Sequence, residues 1–232
     1  MKKSLVAMFI TSGVLAVSMI ACGSAAVDTE EKTAETQIED AKEPAAALLD
    51  SSMAYKIQEM KDSADEVVPT IDINGCDTFT QIVDRKLTTG MRYTNTTIGD
   101  EDVLIVSSGT YDNMDGNMAS IDGSVFVYND GVPFEVGKVF SGGTSYPLAV
   151  KDGYLYTGSN AWVCKYTFNG DKIEIAELAQ VAYDTDGNSY YFYSSEDGGD
   201  FITMDQDEAK SKLDGLYAEM EEAEVLNFDT IQ

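Results

Sequence analysis

From residue 103 to residue 193 the chain is a succession of short apolar or alternating runs, each closed by a turn-forming cluster. The clusters are Asn129-Asp130-Gly131, Lys151-Asp152-Gly153, Asn169-Gly170-Asp171 and Asp184-Thr185-Asp186-Gly187. Asn, Asp and Gly tolerate the positive φ that tight hairpin turns demand, so each cluster predicts a reversal between antiparallel strands. The strands so bounded are 124–128, 133–140, 147–150, 154–157, 162–168, 172–178 and 189–193. Ahead of them, Val103-Leu104-Ile105-Val106 is apolar on both parities, which predicts a central strand buried on both faces. The middle of the protein therefore reads as an antiparallel meander.

The meander repeats weakly. Segments 103–108, 125–129 and 136–139 correspond to 154–159, 164–169 and 175–178, and a third copy begins over 182–193 and stops. Strand, strand, turn, strand with aromatic punctuation resembles a propeller blade, but two and a half units fall short of the roughly four that closure requires. The prediction is one twisted sheet or partly rolled barrel, flanked by helices. Phe79, Ile82, Val83 and Leu87 share a face of a short helix that Asp77 can cap. Asp205-Gln206-Asp207-Glu208 starts a second helix with Ala209, Leu213, Leu216, Tyr217 and Met220 on one stripe. A third stripe, Leu49, Met53, Ile57, Met60 and Ala64, predicts a helix over 46–66. The fold class is thus α+β, a β-rich antiparallel meander between N- and C-terminal helices. Val225-Leu226-Asn227-Phe228 suits a last edge strand, and Glu219, Glu221, Glu222 and Glu224 crowd a helix end whose dipole disfavours anions.

The N-terminus carries different information. Lys2 and Lys3 precede an apolar stretch, 5–20, broken by Thr11, Ser12, Gly13 and Ser18, and Ala21 precedes Cys22. With Met19-Ile20-Ala21-Cys22 as a lipobox, this resembles the leader of bacterial lipoproteins, which usually have Leu where Met19 stands. The resemblance implies a signal peptide over 1–21 and a diacylglycerol thioether on Cys22. Two acyl chains, at roughly 0.8 kcal/mol per buried methylene, hold a protein stably on a membrane. It further implies the outer face of the cytoplasmic membrane, or the outer membrane of a diderm source. Residues 22–47, rich in Ala, Glu, Thr and Lys, read as a flexible acidic tether, and 48–232 as one globular domain. That domain resembles the globular parts of other bacterial lipoproteins, which brings no activity with it.

The formal charge is −26, and removing Lys2 and Lys3 with the leader leaves 13 bases against 41 acids, or −28. Nucleic acid is excluded as a partner, since phosphate binding needs clustered Lys and Arg. With no histidine in the chain, Ser-His-Asp and Cys-His catalysis are excluded, as is the commonest zinc or copper ligand. No phosphate loop, dinucleotide fingerprint or serine elbow occurs. Cys76 and Cys164 remain after lipidation of Cys22; they either pair across a long loop or are two small buried thiols.

Two groups of candidate contact residues stand out. Val103 corresponds to Tyr154 at an offset of 51, whereas Tyr128 corresponds to Phe168 at 40, so about eleven extra residues lie between 108 and 125. This insertion holds Tyr111, Asp112, Asp115, Asn117 and Asp122, hard oxygens of the kind calcium uses, with Asp112, Asp115 and Asp122 as candidate ligands. Their spacing fits no standard calcium loop, and a hairpin tip explains them equally well. Asp184, Asp186 and Asn188 lack the glycine and glutamate of an EF-hand and read as a turn; Glu196, Asp197 and Asp200 read as a solvated linker. The second group is the strand aromatics Tyr154, Tyr156 and Trp162, which are either core or a platform for a glycan or peptide. No cofactor is implied. Together these features predict an extracytoplasmic binding or accessory lipoprotein acting on a glycan, a peptide or an envelope protein. The other reading is a cell-envelope hydrolase working through carboxylates.

Overall fold

The computed structural model describes Ala64, residues 68–195, Phe201 and residues 204–232. The expected leader, the expected tether and most of the expected helix over 46–66 lie outside the described residues; Ala64 is helical, 2% exposed, and its carbonyl accepts the Val68 N–H at 3.0 Å.

Helix α1 (Phe79–Lys86) opens the described body. Its cap is Thr78 rather than Asp77. Thr78 is extended at φ −146° and its hydroxyl accepts the Gln81 N–H, while the Gln81 side chain reaches back to accept the Asp77 N–H at 2.8 Å. This is a variant of the capping box, in which threonine and glutamine three residues apart satisfy the orphan donors. Strands β1 (Arg92–Ile98), β2 (Glu101–Ser107), β3 (Tyr111–Asp112), β4 (Met118–Ala119), β5 (Asp122–Asn129) and β6 (Val132–Phe140) follow. After them come β7 (Ala149–Lys151), β8 (Tyr154–Gly158), β9 (Trp162–Asn169), β10 (Lys172–Tyr183) and β11 (Ser189–Ser194), then helix α2 (Gln206–Glu221), β12 (Glu224–Val225) and β13 (Asp229–Thr230).

The strands are antiparallel, as the turn clusters predict, but they divide between two open sheets instead of forming one. A five-stranded sheet runs β13-β1-β2-β5-β6 and a six-stranded sheet β11-β10-β9-β8-β7-β12, with β3-β4 as a separate hairpin. The internal repeat explains the division: one copy supplies β2, β5 and β6, the other β8, β9 and β10. The insertion within the first copy, between β2 and β5, is the β3-β4 hairpin.

The sheets pack face to face. Ile98, Val103, Ile105, Val125, Val127 and Val139 of one meet Leu155, Trp162, Cys164, Ile175 and Leu178 of the other in a common core. Val103 to Val106 are at most 1% exposed. The reason is that β2 is central and alternates between cores: Leu104 and Val106 face Phe79, Ile82 and Leu87 beneath α1. The six-stranded sheet repeats this arrangement, with Tyr156, Val163, Ala179 and Tyr193 against Leu213, Leu216 and Met220 of α2. Asp205 caps α2, accepting the Asp207 and Glu208 N–H groups. The tail after α2 joins both sheets, β12 pairing with β7 and β13 with β1, while Leu226 and Phe228 between them are buried.

Two Asp-Gly turns give an internal test of sheet apposition. Asp130-Gly131 and Asp152-Gly153 both hold positive φ, Gly131 at +79° and Gly153 at +82°. A Cβ on Gly131 would meet nothing, whereas one on Gly153 would lie 3.1 Å from the Gly99 Cα in the β1-β2 turn of the opposing sheet. Gly131→Ala should therefore cost about 1 kcal/mol, the left-handed strain alone, and Gly153→Ala about 2 kcal/mol. Equal losses in denaturant titrations would mean that the Asp152-Gly153 turn does not meet the β1-β2 turn.

Candidate functional site

A cavity of about 660 Å³ opens where the C-terminal end of α2 crosses the edge of the six-stranded sheet, lined among others by Ser145, Tyr146, Asn160, Tyr217, Met220 and Glu221. Tyr217 adjoins the buried stripe of α2, so it projects from the helix flank and remains partly exposed. Its hydroxyl donates to the Ser159 carbonyl at 2.7 Å, and the Tyr146 hydroxyl donates to Asn160 Oδ1 at 3.0 Å. The two ring centroids are 6.0 Å apart with planes tilted by 45°. Gly158 makes this packing possible: a Cβ there would lie 3.0 Å from Met220 Sδ and 3.2 Å from Tyr146 Cδ1. Burial pushes the Tyr217 phenol well above the ordinary tyrosine range. The side chain of Glu221, an exposed residue, has no hydrogen-bond or ion-pair partner among the described residues.

On the other flank of α2 lies a polar cluster that holds the helix down. Lys165 stands opposite Tyr156 on one neighbouring strand and Glu177 on the other. Its ammonium lies 2.8 Å from Glu219 of α2, 3.2 Å from Glu177 and 4.5 Å above the Tyr154 ring. Tyr156 donates to Glu219 at 2.7 Å and Tyr193 to Glu177 at 2.8 Å. Burial opposes the charge of Lys165, but its bonds to Glu219 and Glu177 outweigh that and raise its pKa. Burial and the bond to Glu177 push Tyr193 up to about 12. The Lys165 bond holds Glu219 below the usual carboxylate range, the opposite of what a general acid at neutral pH needs.

The residues singled out in the sequence are dispersed. Trp162 is buried between the sheets, edge-on to Phe140 at 5.8 Å, while Tyr156 lies under α2 and Tyr154 beneath the Lys165 ammonium. The three rings therefore form no common platform. In the β3-β4 hairpin, Asp112 accepts the Met114 N–H, and Asp115 accepts the Asn117 N–H and the Asn113 amide. Asp122 turns the other way, toward Ser107 and Ser108 at 2.6–3.0 Å, so the candidate calcium ligands do not converge. Among the described residues no group of three or more acidic or thiol side chains is arranged around a metal position. The Tyr111 hydroxyl donates to the Thr144 carbonyl at 2.7 Å, pinning the hairpin to the loop that carries Tyr146. Asp184 closes the β10-β11 turn by accepting the Asp186 and Asn188 N–H groups. Glu196, Asp197 and Asp200 lie outside the described residues.

Of the two readings of the cysteines, the structure has separate thiols. Cys76 is buried beneath α1 and Cys164 between the sheets, and they are not joined. The five-stranded sheet stands between them. Sequence reading placed Tyr217 on the α2 stripe but missed Tyr146, Asn160 and Glu221 as cavity residues; the one signal was the acidic end of α2. The chain matches no protein-family model, and no curated protein or solved structure is significantly similar to it.

The Lys165 cluster makes stability pH-dependent in a defined sense. Lys165 and Tyr193 have raised pKa values, so their contribution is full below about pH 10, near their unfolded values, and is lost as pH rises through the folded ones. Glu219 is lowered, so its contribution is present above about pH 4.3 and is lost as pH falls through its folded value. Melting temperatures should form a plateau between these limits. Lys165→Met should cost about 2 kcal/mol of stability across that plateau, between the ranges for exposed and buried pairs, lowering its melting temperature, and should shrink the alkaline limb. An unchanged melting profile would show that the cluster does not hold α2.

Proposed function

We propose that this chain is a lipid-anchored extracytoplasmic binding protein that holds a ligand in the cavity lined by Tyr146 and Tyr217. The observation carrying the binding reading is the cavity itself. Its volume is within the roughly 300–1,000 Å³ range of small-molecule sites, and it combines apolar walls with a few polar groups. Anchoring rests on Met19-Ile20-Ala21-Cys22 and the tether behind it. Among the described residues no helix is long and apolar enough to cross a membrane, and the acyl chains of Cys22 provide attachment in this reading. A net charge of −28 after removal of the leader repels anionic headgroups, so the body stands off the lipid surface at the end of the tether.

Two measurements test the two halves. Mass spectrometry of the N-terminal peptide from membrane-extracted protein should show Cys22 as the first residue with an acyl-bearing thioether, and Cys22→Ser should abolish both cleavage at this site and acylation. An unmodified Cys22 in the wild type would overturn the anchor. A fragment screen on the full mature chain in detergent, read by backbone NMR shifts, should concentrate its hits on 145–147, 160 and 217–225. Hits that avoid these residues would overturn the cavity as the binding site.

A further inference from the structure

Resting on the reading of this cavity as a ligand site, we infer that its ligand is an organic cation: a small molecule with a protonated amine or quaternary ammonium head on an apolar body. Three independent features of the site converge on that class. First, both tyrosine hydroxyls already donate their protons, to Asn160 and to Ser159. What the pair has left to offer is two π systems and the oxygen lone pairs, all attractive to positive charge. Their centroids are 6.0 Å apart, so the rings pack against each other and a cation in the cavity alongside the pair can lie within the roughly 6 Å reach of both.

Second, Glu221 lines the cavity with its carboxylate uncommitted, and no lining residue is cationic. The lysines that reach this end of α2 are engaged elsewhere: Lys151 with Glu222 at 2.6 Å and Lys165 with Glu219 at 2.8 Å. Third, this wall is the C-terminal end of α2, the negative pole of the helix, and its last turn has no basic residue. Glutamate in that position is unfavourable for the helix alone. Glu219 and Glu222 are compensated by lysines, and a cationic ligand supplies the same compensation to Glu221.

Other ligand classes fit less well. An anion would meet Glu221 and the helix pole with no countercharge. A neutral sugar would find acceptors in Glu221 and the tyrosine oxygens, but it would leave the Glu221 charge and the helix pole without a countercharge. A bare divalent metal needs several oxygen ligands, and Glu221 is the single carboxylate in the lining.

The test is calorimetric titration of the full mature chain in detergent with choline and with its uncharged isostere 3,3-dimethylbutan-1-ol. Choline should bind at least about tenfold more tightly, weaken with added salt, and lose about fivefold or more in Glu221→Gln and in Tyr146→Leu. The isostere should be indifferent to Glu221→Gln, and the melting temperature of each variant reports whether the fold is intact. Equal or tighter binding of the isostere at this cavity would discard the cation class and leave the cavity as a binding site. Binding of neither probe at millimolar concentration overturns the inference, and the fragment screen then decides separately whether the cavity binds anything.

Discussion

The face-to-face burial of two meander sheets is the constraint on which everything else in this protein depends. Neither sheet could stand alone: β2 and β9 carry large apolar residues on both parities, so each sheet must be covered twice. The shared core covers the inner faces, and the outer faces then require α1 on one side and α2 on the other. The resulting helix, sheet, sheet, helix order follows from the demand that apolar surface on both sides of a strand leave water.

The tail after α2 converts this layering into a defined site. Because β12 adds to one sheet and β13 to the other, with Leu226 and Phe228 buried between them, the end of α2 is tied at the point where the chain leaves it. The Lys165 cluster fixes one flank of the helix, and Tyr217 and Met220 project from its course over the sheet edge. The β3-β4 hairpin takes part through Tyr111 and Thr144, and through the Met118 N–H donated to Asn227 Oδ1. Thus the insertion that looks like a contact loop in the sequence braces the cavity's wall, its carboxylates engaged in its own turns and in the Ser107–Ser108 corner.

The legible parts of this protein were those whose physics is local. Asx-Gly turns specify reversals within four residues, so the strands from β5 to β11 could be read with their approximate bounds. Val103 to Val106 announced a two-sided burial that needed no partner to be recognised. The polar strand β1, Arg92-Tyr93-Thr94-Asn95-Thr96-Thr97-Ile98, lacks that pattern and is a strand because β2 pairs along its whole length. Likewise, the cap of α1 moved by one residue because Thr78 and Gln81 form a reciprocal pair, which the single-residue preference of Asp77 does not capture. The aromatics failed as a guide to a site because ring-rich strands are equally good core: Trp162 and Tyr156 are adjacent in kind but sit on opposite faces of one sheet.

By itself, the sequence determined the antiparallel β-rich class, the two helices that bound it, the weak duplication of the meander and the absence of histidine chemistry. Each is a property of spacing or composition, and spacing is read one residue against its near neighbours. Only the tertiary structure decided that the two copies lie in separate sheets, that Cys76 and Cys164 are kept apart, and that Tyr146 meets Tyr217. Those two tyrosines are seventy-one positions apart in the chain. They come together because α2 must cross the sheet to bury Leu213, Leu216 and Met220, and that crossing brings its acidic end over the loop before β7. No local pattern encodes such a meeting: it is set by the closure of all the apolar faces at once.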